Sequence, residues 1–267
     1  MNLREKIYNL PVDNNKSKQL QFLDRFSLLR DEFCQKDIVI LACGPSLSEY
    51  PTEEVKDFCK GKIVFCIKQT IHEFKEICDV HFYNDNNITQ YSYEDGTVAV
   101  SCSSSDYRTS QRNFWPLIRK SDFHFVTRHT RNLKDSLAFT NKFELWEIEK
   151  TGPSRPWGPG IMLECVIPVA VFVNPKRIYT LGWDYADPKK YDDTGDTRLE
   201  HYYSEQDQRR HFRIPDPPVA KENALLCKNS YYLSEYLKRK KIELLILSKN
   251  SYLDASIPRI MNLKSCV

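Results

Sequence analysis

Glycine is scarce in this chain, eight residues of 267, and no G-x-G-x-x-G or G-x-x-x-x-G-K-[ST] run can be assembled from them. Dinucleotide sites and P-loop nucleotide sites use those spacings to bring the backbone close to a phosphate, so their absence counts against both classes. No D-x-D sequence occurs either. A carboxylate pair of that kind would hold a divalent cation on an anionic substrate, so chemistry without a metal or other cofactor is expected. The nine cysteines form no C-x-x-C pair and no Cys/His cluster at zinc spacing. Cys66, Cys165 and Cys227 sit inside apolar stretches, as buried reduced thiols do.

An excess of charge of one sign is also lacking. Lysine and arginine number 39 against 36 acidic residues, a net +3, too balanced for a dedicated nucleic-acid binder. Two local basic runs stand out, Arg209-Arg210-His211 and Lys238-Arg239-Lys240-Lys241. Such runs are mostly solvated faces, and a minority attract anionic lipid. Residues 1–19 contain no apolar signal-peptide core, and the longest apolar run, Ile161–Val173, is interrupted by Glu164 and Pro168. A cytoplasmic protein is expected, one that would reach a membrane only from the cytoplasmic side.

What is present is an ordinary globular composition, 41% hydrophobic and 28% charged, with fifteen tyrosines. Leu20, Leu23, Phe26 and Leu29 recur at helical spacing, which predicts an amphipathic helix in an N-terminal extension over residues 1–36. Short β-branched runs then predict strands at 37–42, 62–67, 79–83, 97–101, 123–127, 177–181 and 242–247. Helices are predicted from Thr52 and over 70–77, 161–173 and 219–240. The Gly/Pro-dense 151–160 reads as loop, and the polar, proline-containing 183–218 reads as a lid. Strand–helix alternation of this kind predicts an α/β fold, a Rossmann-like doubly wound, mostly parallel sheet over residues 37–267. In such sheets ligands bind beyond the carboxyl ends of the strands, where the strand order reverses.

Candidate functional segments fall at those ends. Cys43-Gly44-Pro45-Ser46-Leu47 follows the first strand, and a glycine there permits close backbone approach to a ligand. Taken alone it is equally a tight turn. Lys68-Gln69 follows the second strand and offers a cation and an amide. Tyr83-Asn84-Asp85-Asn86 follows the third, where asparagine also commonly caps turns. Trp157-Gly158-Pro159-Gly160 opens the helix at 161. Gly182-Trp183-Asp184-Tyr185 follows the strand at 177–181, and His201-Tyr202-Tyr203 lies in the lid.

The ordered set ILACGPSL, FCIKQ, VHFYND, GPGIMLECVIPVAVFVNPKRIYTLGWDY and EHYYSE resembles a family of bacterial lipooligosaccharide sialyltransferases over about residues 37–250. That family carries G-P-S-L, C-N-Q and F-Y-N after its first three strands, K-x-I-Y-x-x-G-x-D further on, and S-H-Y in a lid. Similar scaffolds occur in enzymes that transfer Kdo to the lipopolysaccharide core. The resemblance implies a Rossmann-like glycosyltransferase that moves sialic acid or Kdo from a CMP donor to a lipid-anchored glycan. It would act without a cofactor, in peripheral contact with the inner membrane, and as a possible homo-oligomer.

Position by position, the resemblance implies that Gly44, Pro45 and Ser46 lie beside the donor nucleotide. Gln69 and Asn84 would serve the cytidine and phosphate, and Lys68 would join them. Gly160 would present backbone to the phosphate, and Asp184 would contact the ribose or order the loop. Tyr191 would donate to the departing phosphate, Tyr185 would stand in for a second such tyrosine, and His201 would be the general base. The chain departs from the pattern at Lys68, where the family has asparagine, at Pro159, where it has a small hydroxyl residue, and at Ala186, where it has tyrosine. Two competing classes remain on the residues alone. One is a phosphotransferase or nucleotide-sugar enzyme on a similar sheet, and the other is a non-catalytic accessory protein of glycan assembly.

Overall fold

Short runs such as Ile38–Leu41 and Ile63–Ile67 carry apolar side chains on both faces, and every residue in them is buried, as a parallel sheet covered by helices on both sides requires. A computed structural model describes residues 1–84, 91–104, 121–128, 142–156, 160–184, 217–248 and 251–266. Within them lie β1 (Ile38–Leu41), β2 (Ile63–Ile67), β3 (Val80–Asn84), β4 (Val98–Ser104), β5 (Phe123–Arg128), β6 (Ser154–Pro156), β7 (Arg177–Leu181) and β8 (Glu243–Ile246). They form one sheet in the order β6-β5-β4-β3-β2-β1-β7-β8. Every pairing is parallel. The α/β, Rossmann-like doubly wound sheet expected from the alternation is the fold that forms.

The chain steps outward from β1 through β6 and then returns to place β7 on the other side of β1. The direction of winding therefore reverses between β1 and β7. The crevice at a reversal opens beyond the carboxyl ends of its two strands, here just after Leu41 and Leu181.

Each sheet face has its own core. On one, Phe26 of the helix Lys18–Phe33 packs edge-on to Phe123 and Phe125, at ring centroid separations of 4.8 and 5.6 Å, and tilts against Phe172 at 4.8 Å. Burying a phenylalanine of this kind contributes about 1.5–3 kcal/mol. Leu29 and Phe33 join the same face, whereas Leu20, part of the expected apolar stripe, is exposed. On the other face, Val55 and Phe58 of the helix Thr52–Cys59 cover Val39, Leu41 and Tyr179.

Two local features differ from the sequence expectation. Residues 151–160 are not loop throughout, because Ser154–Pro156 adds an edge strand beside β5. An edge position tolerates Pro156, whose missing N–H costs no ladder bond on the outer side. The helix expected over 161–173 opens as a π turn, Met162–Val166, before the α-helix Ile167–Phe172. Pro168 explains the opening. It has no N–H to give the Glu164 carbonyl, the i−4 acceptor an α-helix would use. The buried Arg155 Nε donates to that carbonyl instead, at 3.2 Å.

Candidate functional site

At the reversal, the loops after β1 and β7 are joined by hydrogen bonds. The Ala42 N–H donates to the Leu181 carbonyl at 2.8 Å, and the Gly44 N–H to the Gly182 carbonyl at 2.7 Å. The Gly182 N–H donates to Ser46 Oγ at 3.0 Å. Ser46 in turn gives its N–H to Asp184 Oδ2 at 2.8 Å and its hydroxyl proton to Asp184 Oδ1. Both oxygens of Asp184 are thus occupied by one residue 138 positions away. Burial raises the Asp184 carboxyl above the usual carboxylate range, and the two Ser46 bonds oppose that rise.

Two glycines make this contact sterically possible. A Cβ on Gly44 would collide with the Gly182 carbonyl oxygen and the Asp184 carboxylate. Gly182 has φ +78°, and a Cβ on it would strike the Ala42 carbonyl. Gly44, Ser46 and Asp184 are therefore brought together at the reversal. Ser46 and Asp184 lie 2% and 7% exposed.

The next two strand ends are built differently. Lys68 and Gln69 open a single 3-10 turn after β2, Lys68–Thr70. Lys68 has φ +51°, a left-handed conformation unusual for a residue with a side chain. Gln69 is buried, and its Oε1 lies 3.8 Å from Cys43 Sγ. Thr70 Oγ1 accepts from the Ile67 N–H at 2.8 Å and reaches the Leu41 carbonyl at 3.1 Å, fastening this turn to β1. Burial pushes the Cys43 thiol up to about 11, against the pull of the Lys68 charge. Lys68 forms no ion pair among the described residues. Asn84 ends β3, and its buried Oδ1 has no hydrogen-bond partner among the described residues.

Beneath Lys68 lies a residue that the sequence did not single out. His81 is fully buried in β3, with Nε2 2.8 Å from the Lys68 carbonyl and Nδ1 3.1 Å from the Tyr93 hydroxyl. Burial pushes its pKa down to about 3, so the ring is neutral at ordinary pH. The available signal was its place inside VHFY, a polar ring at a position where the strand is covered on both faces.

Gly160 is exposed just before the π turn. The helix it precedes meets β4 where Cys102 Sγ lies 3.9 Å from Glu164 Oε2. Tyr185, Tyr191 and His201, with Pro159, Ala186 and nearly all of the expected lid, lie outside the described residues. Among the described residues there is no group of three or more His, Cys, Asp or Glu placed to hold a metal ion, and no helix long and apolar enough to cross a membrane. The basic run at 238–241 is largely neutralised by acids. Lys238 pairs with Glu235, Arg239 with Glu144 and Lys240 with Glu147.

No protein-family model matches the chain, and no curated protein matches it in sequence. Solved structures that match include a Maf glycosyltransferase from Magnetospirillum magneticum AMB-1, at 11% identity and a TM-score of 0.49. The match covers 87% of this chain and 34% of that one, so the chain spans about a third of that structure's length. The sialyltransferase CstII from Campylobacter jejuni, in complex with the substrate analogue CMP-3FNeuAc, matches at 16% identity and a TM-score of 0.40, over 85% of each chain. A mammalian sialyltransferase in complex with Gal-beta-1-3GalNAc-ortho-nitrophenol matches at 8% identity and a TM-score of 0.39, over 91% of this chain and 83% of that one.

Proposed function

We propose that this protein is a glycosyltransferase that moves a keto-acid sugar, Kdo or sialic acid, from its CMP donor to a hydroxyl of a lipopolysaccharide or lipooligosaccharide acceptor. The observation that carries the assignment is the edge formed by the carboxyl ends of β1, β2, β3 and β7. Gly44 and Ser46 shape its floor there, and Lys68, Gln69 and Asn84 stand at the ends of the neighbouring strands. A nucleotide with one phosphate suits such an edge. The Lys68 ammonium serves the anion, and the buried Asn84 Oδ1 accepts from a base amine or a ribose hydroxyl.

In the reaction the bond between the anomeric carbon and the phosphate oxygen breaks, and CMP departs with the electron pair. The acceptor oxygen bonds to the anomeric carbon and gives up its proton. His201 takes that proton, an imidazole being suited to the task near neutral pH. Tyr191 and Tyr185 donate to the departing phosphate, so that hydroxyl groups carry the charge without a metal. The lipid-anchored acceptor places the enzyme at the cytoplasmic face of the inner membrane. With Lys238, Arg239 and Lys240 already paired to acids, the membrane contact falls to residues 209–211 and the C-terminal segment Ile257–Lys264.

A thermal-shift comparison of CMP, UMP, GMP, ADP and NAD tests the donor. CMP at about a hundred times its dissociation constant should stabilise by about 2.7 kcal/mol, and the others should not. An unmoved transition at millimolar CMP removes the assignment, and a shift with ADP or NAD alone favours a different nucleotide enzyme. In turnover, His201→Ala should lower kcat by about 10²–10⁴-fold with CMP affinity unchanged, and EDTA should have no effect.

A further inference from the structure

We propose that His81, buried within β3, is a positioning residue that holds Lys68 in its left-handed conformation, so that the Lys68 ammonium forms an anion subsite beside the Gly44–Ser46 loop. The proposal rests on the phosphate-bearing donor assigned above, but it concerns how the chain receives the phosphate, whichever base is attached.

The geometry fixes the roles of both ring nitrogens. A carbonyl oxygen only accepts, so the 2.8 Å contact to the Lys68 carbonyl requires a proton on His81 Nε2. In a neutral ring Nδ1 is then an acceptor, and the Tyr93 hydroxyl, 3.1 Å away, must donate to it. The ring is boxed by Tyr83, Tyr91 and Tyr93, at centroid distances of 5.3, 4.6 and 5.4 Å, so it has no room to rotate. The Lys68 carbonyl also accepts from the Ile71 N–H. Two donors from different elements thereby fix the direction of one carbonyl, and with it ψ at Lys68, while the peptide plane on the other side of Lys68 is held at the Ile67 carbonyl, which accepts from Cys43 Sγ and Thr70 Oγ1 at 3.1 Å each.

A left-handed lysine is sterically unfavourable, and such backbone persists only where its surroundings over-determine it. Here the surroundings are visible, and they lead to a cation. The Lys68 ammonium has no ion pair among the described residues, and the residues on either side of Lys68 touch the loop after β1, where Cys43 Sγ lies 3.1 Å from the Ile67 carbonyl and 3.8 Å from Gln69 Oε1. In the ordinary right-handed or extended conformations the side chain would leave Cα in another direction. A buried imidazole that titrates far below neutrality serves this task through a fixed N–H and not through its charge.

The test measures affinities for CMP and for cytidine by calorimetry, and the ratio isolates the contribution of the phosphate. The wild-type chain should prefer CMP. Lys68→Gln should cut that preference by about ten-fold, as expected for loss of a charge-assisted contact, with cytidine affinity unchanged. His81→Phe should lower the ratio to the same extent. His81→Gln keeps an N–H near the position of Nε2 and should restore most of it, which a merely structural role would not produce. Should His81→Phe not fold, Tyr93→Phe takes its place. It removes the donor that sets the tautomer, and it should lower the ratio by a smaller factor. A wild-type ratio in His81→Phe, an equal loss of both ligands, or no effect of Lys68→Gln overturns the proposal. Equal binding of CMP, UMP and GMP with a Lys68-dependent phosphate contribution would leave it standing and remove the cytidine donor instead.

Discussion

The strand ends at the reversal and the strand ends beside it are neighbours with opposite chemistry. After β1 and β7, Ser46, Asp184 and the Gly182 N–H satisfy one another. After β2 and β3 two groups differ. Lys68 lacks a counter-ion among the described residues, and the Asn84 Oδ1 is buried without a partner there. A closed network contributes rigidity, whereas an unpaired cation and an unfilled acceptor are where a ligand finds something to bind. Residues that resemble a family's site in sequence can therefore divide into floor and contact. On the proposed function, Gly44, Ser46 and Asp184 would belong to the floor, and Lys68 and Asn84 to the contact.

Substitutions on the floor should break the fold, and substitutions at the contact should change ligand response while sparing it. Gly182→Ala is expected to be the most damaging, because it forces a positive φ on alanine and drives a Cβ into the Ala42 carbonyl. A loss of about 3 kcal/mol should appear in urea denaturation. A loss well under 1 kcal/mol would mean that the two loops yield easily and the comparison fails. Asp184→Ala should follow at about 2–3 kcal/mol, since it leaves the buried Ser46 N–H and hydroxyl without acceptors. Addition of CMP should not repair it in a thermal melt.

His81 lies between the two classes, buried like the floor but serving the contact. Its folded pKa of about 3 is below the ordinary histidine value of 6.5. Below pH 6.5 the unfolded chain takes up a proton that the folded chain refuses. Stability attached to this ring is thus complete above that pH and falls as pH drops toward 3, by up to about 1.4 kcal/mol per unit. His81→Gln should flatten the acid limb of stability between pH 6 and 4. An unchanged slope would show that His81 is already protonated or accessible in the native state.

Lys68→Gly carries the smallest effect on stability and the sharpest contrast. Glycine adopts φ +51° without strain, so the variant should gain up to about 1 kcal/mol. It should nevertheless lose the CMP-dependent rise in melting temperature. A variant that is both less stable and still responsive would place Lys68 in the floor.

Some of this was legible in the amino-acid order. The seven expected strands were readable because each is a short apolar run bounded by polar residues, and their alternation with helical segments allowed only a parallel, doubly wound sheet. β6 escaped notice because Ser-Arg-Pro has no strand signature of its own, and only the exposed edge of β5 makes it one. The π turn was hidden as well. Pro168 announced a disturbed helix, but not that Arg155 would take up the freed carbonyl.

At the site the division is similar. Position after a strand singled out Gly44, Lys68, Asn84 and Asp184, because a parallel sheet places its loops where ligands bind. What each one does depended on contacts that only folding creates. The bond between Ser46 and Asp184 spans 138 residues, and no local pattern encodes a partner that far away. Lysine carries no marker for a left-handed backbone, as glycine or asparagine would, so the conformation of Lys68 had to be imposed from outside. Its visible cause is a histidine one strand over, which in the sequence was only a polar ring among apolar neighbours. Local composition determined which segments become strands and where their ends lie. Tertiary structure decided which polar groups at those ends satisfy each other and which are left for a ligand, because hydrogen bonds are short and directional and depend on distances that exist only once the sheet has formed.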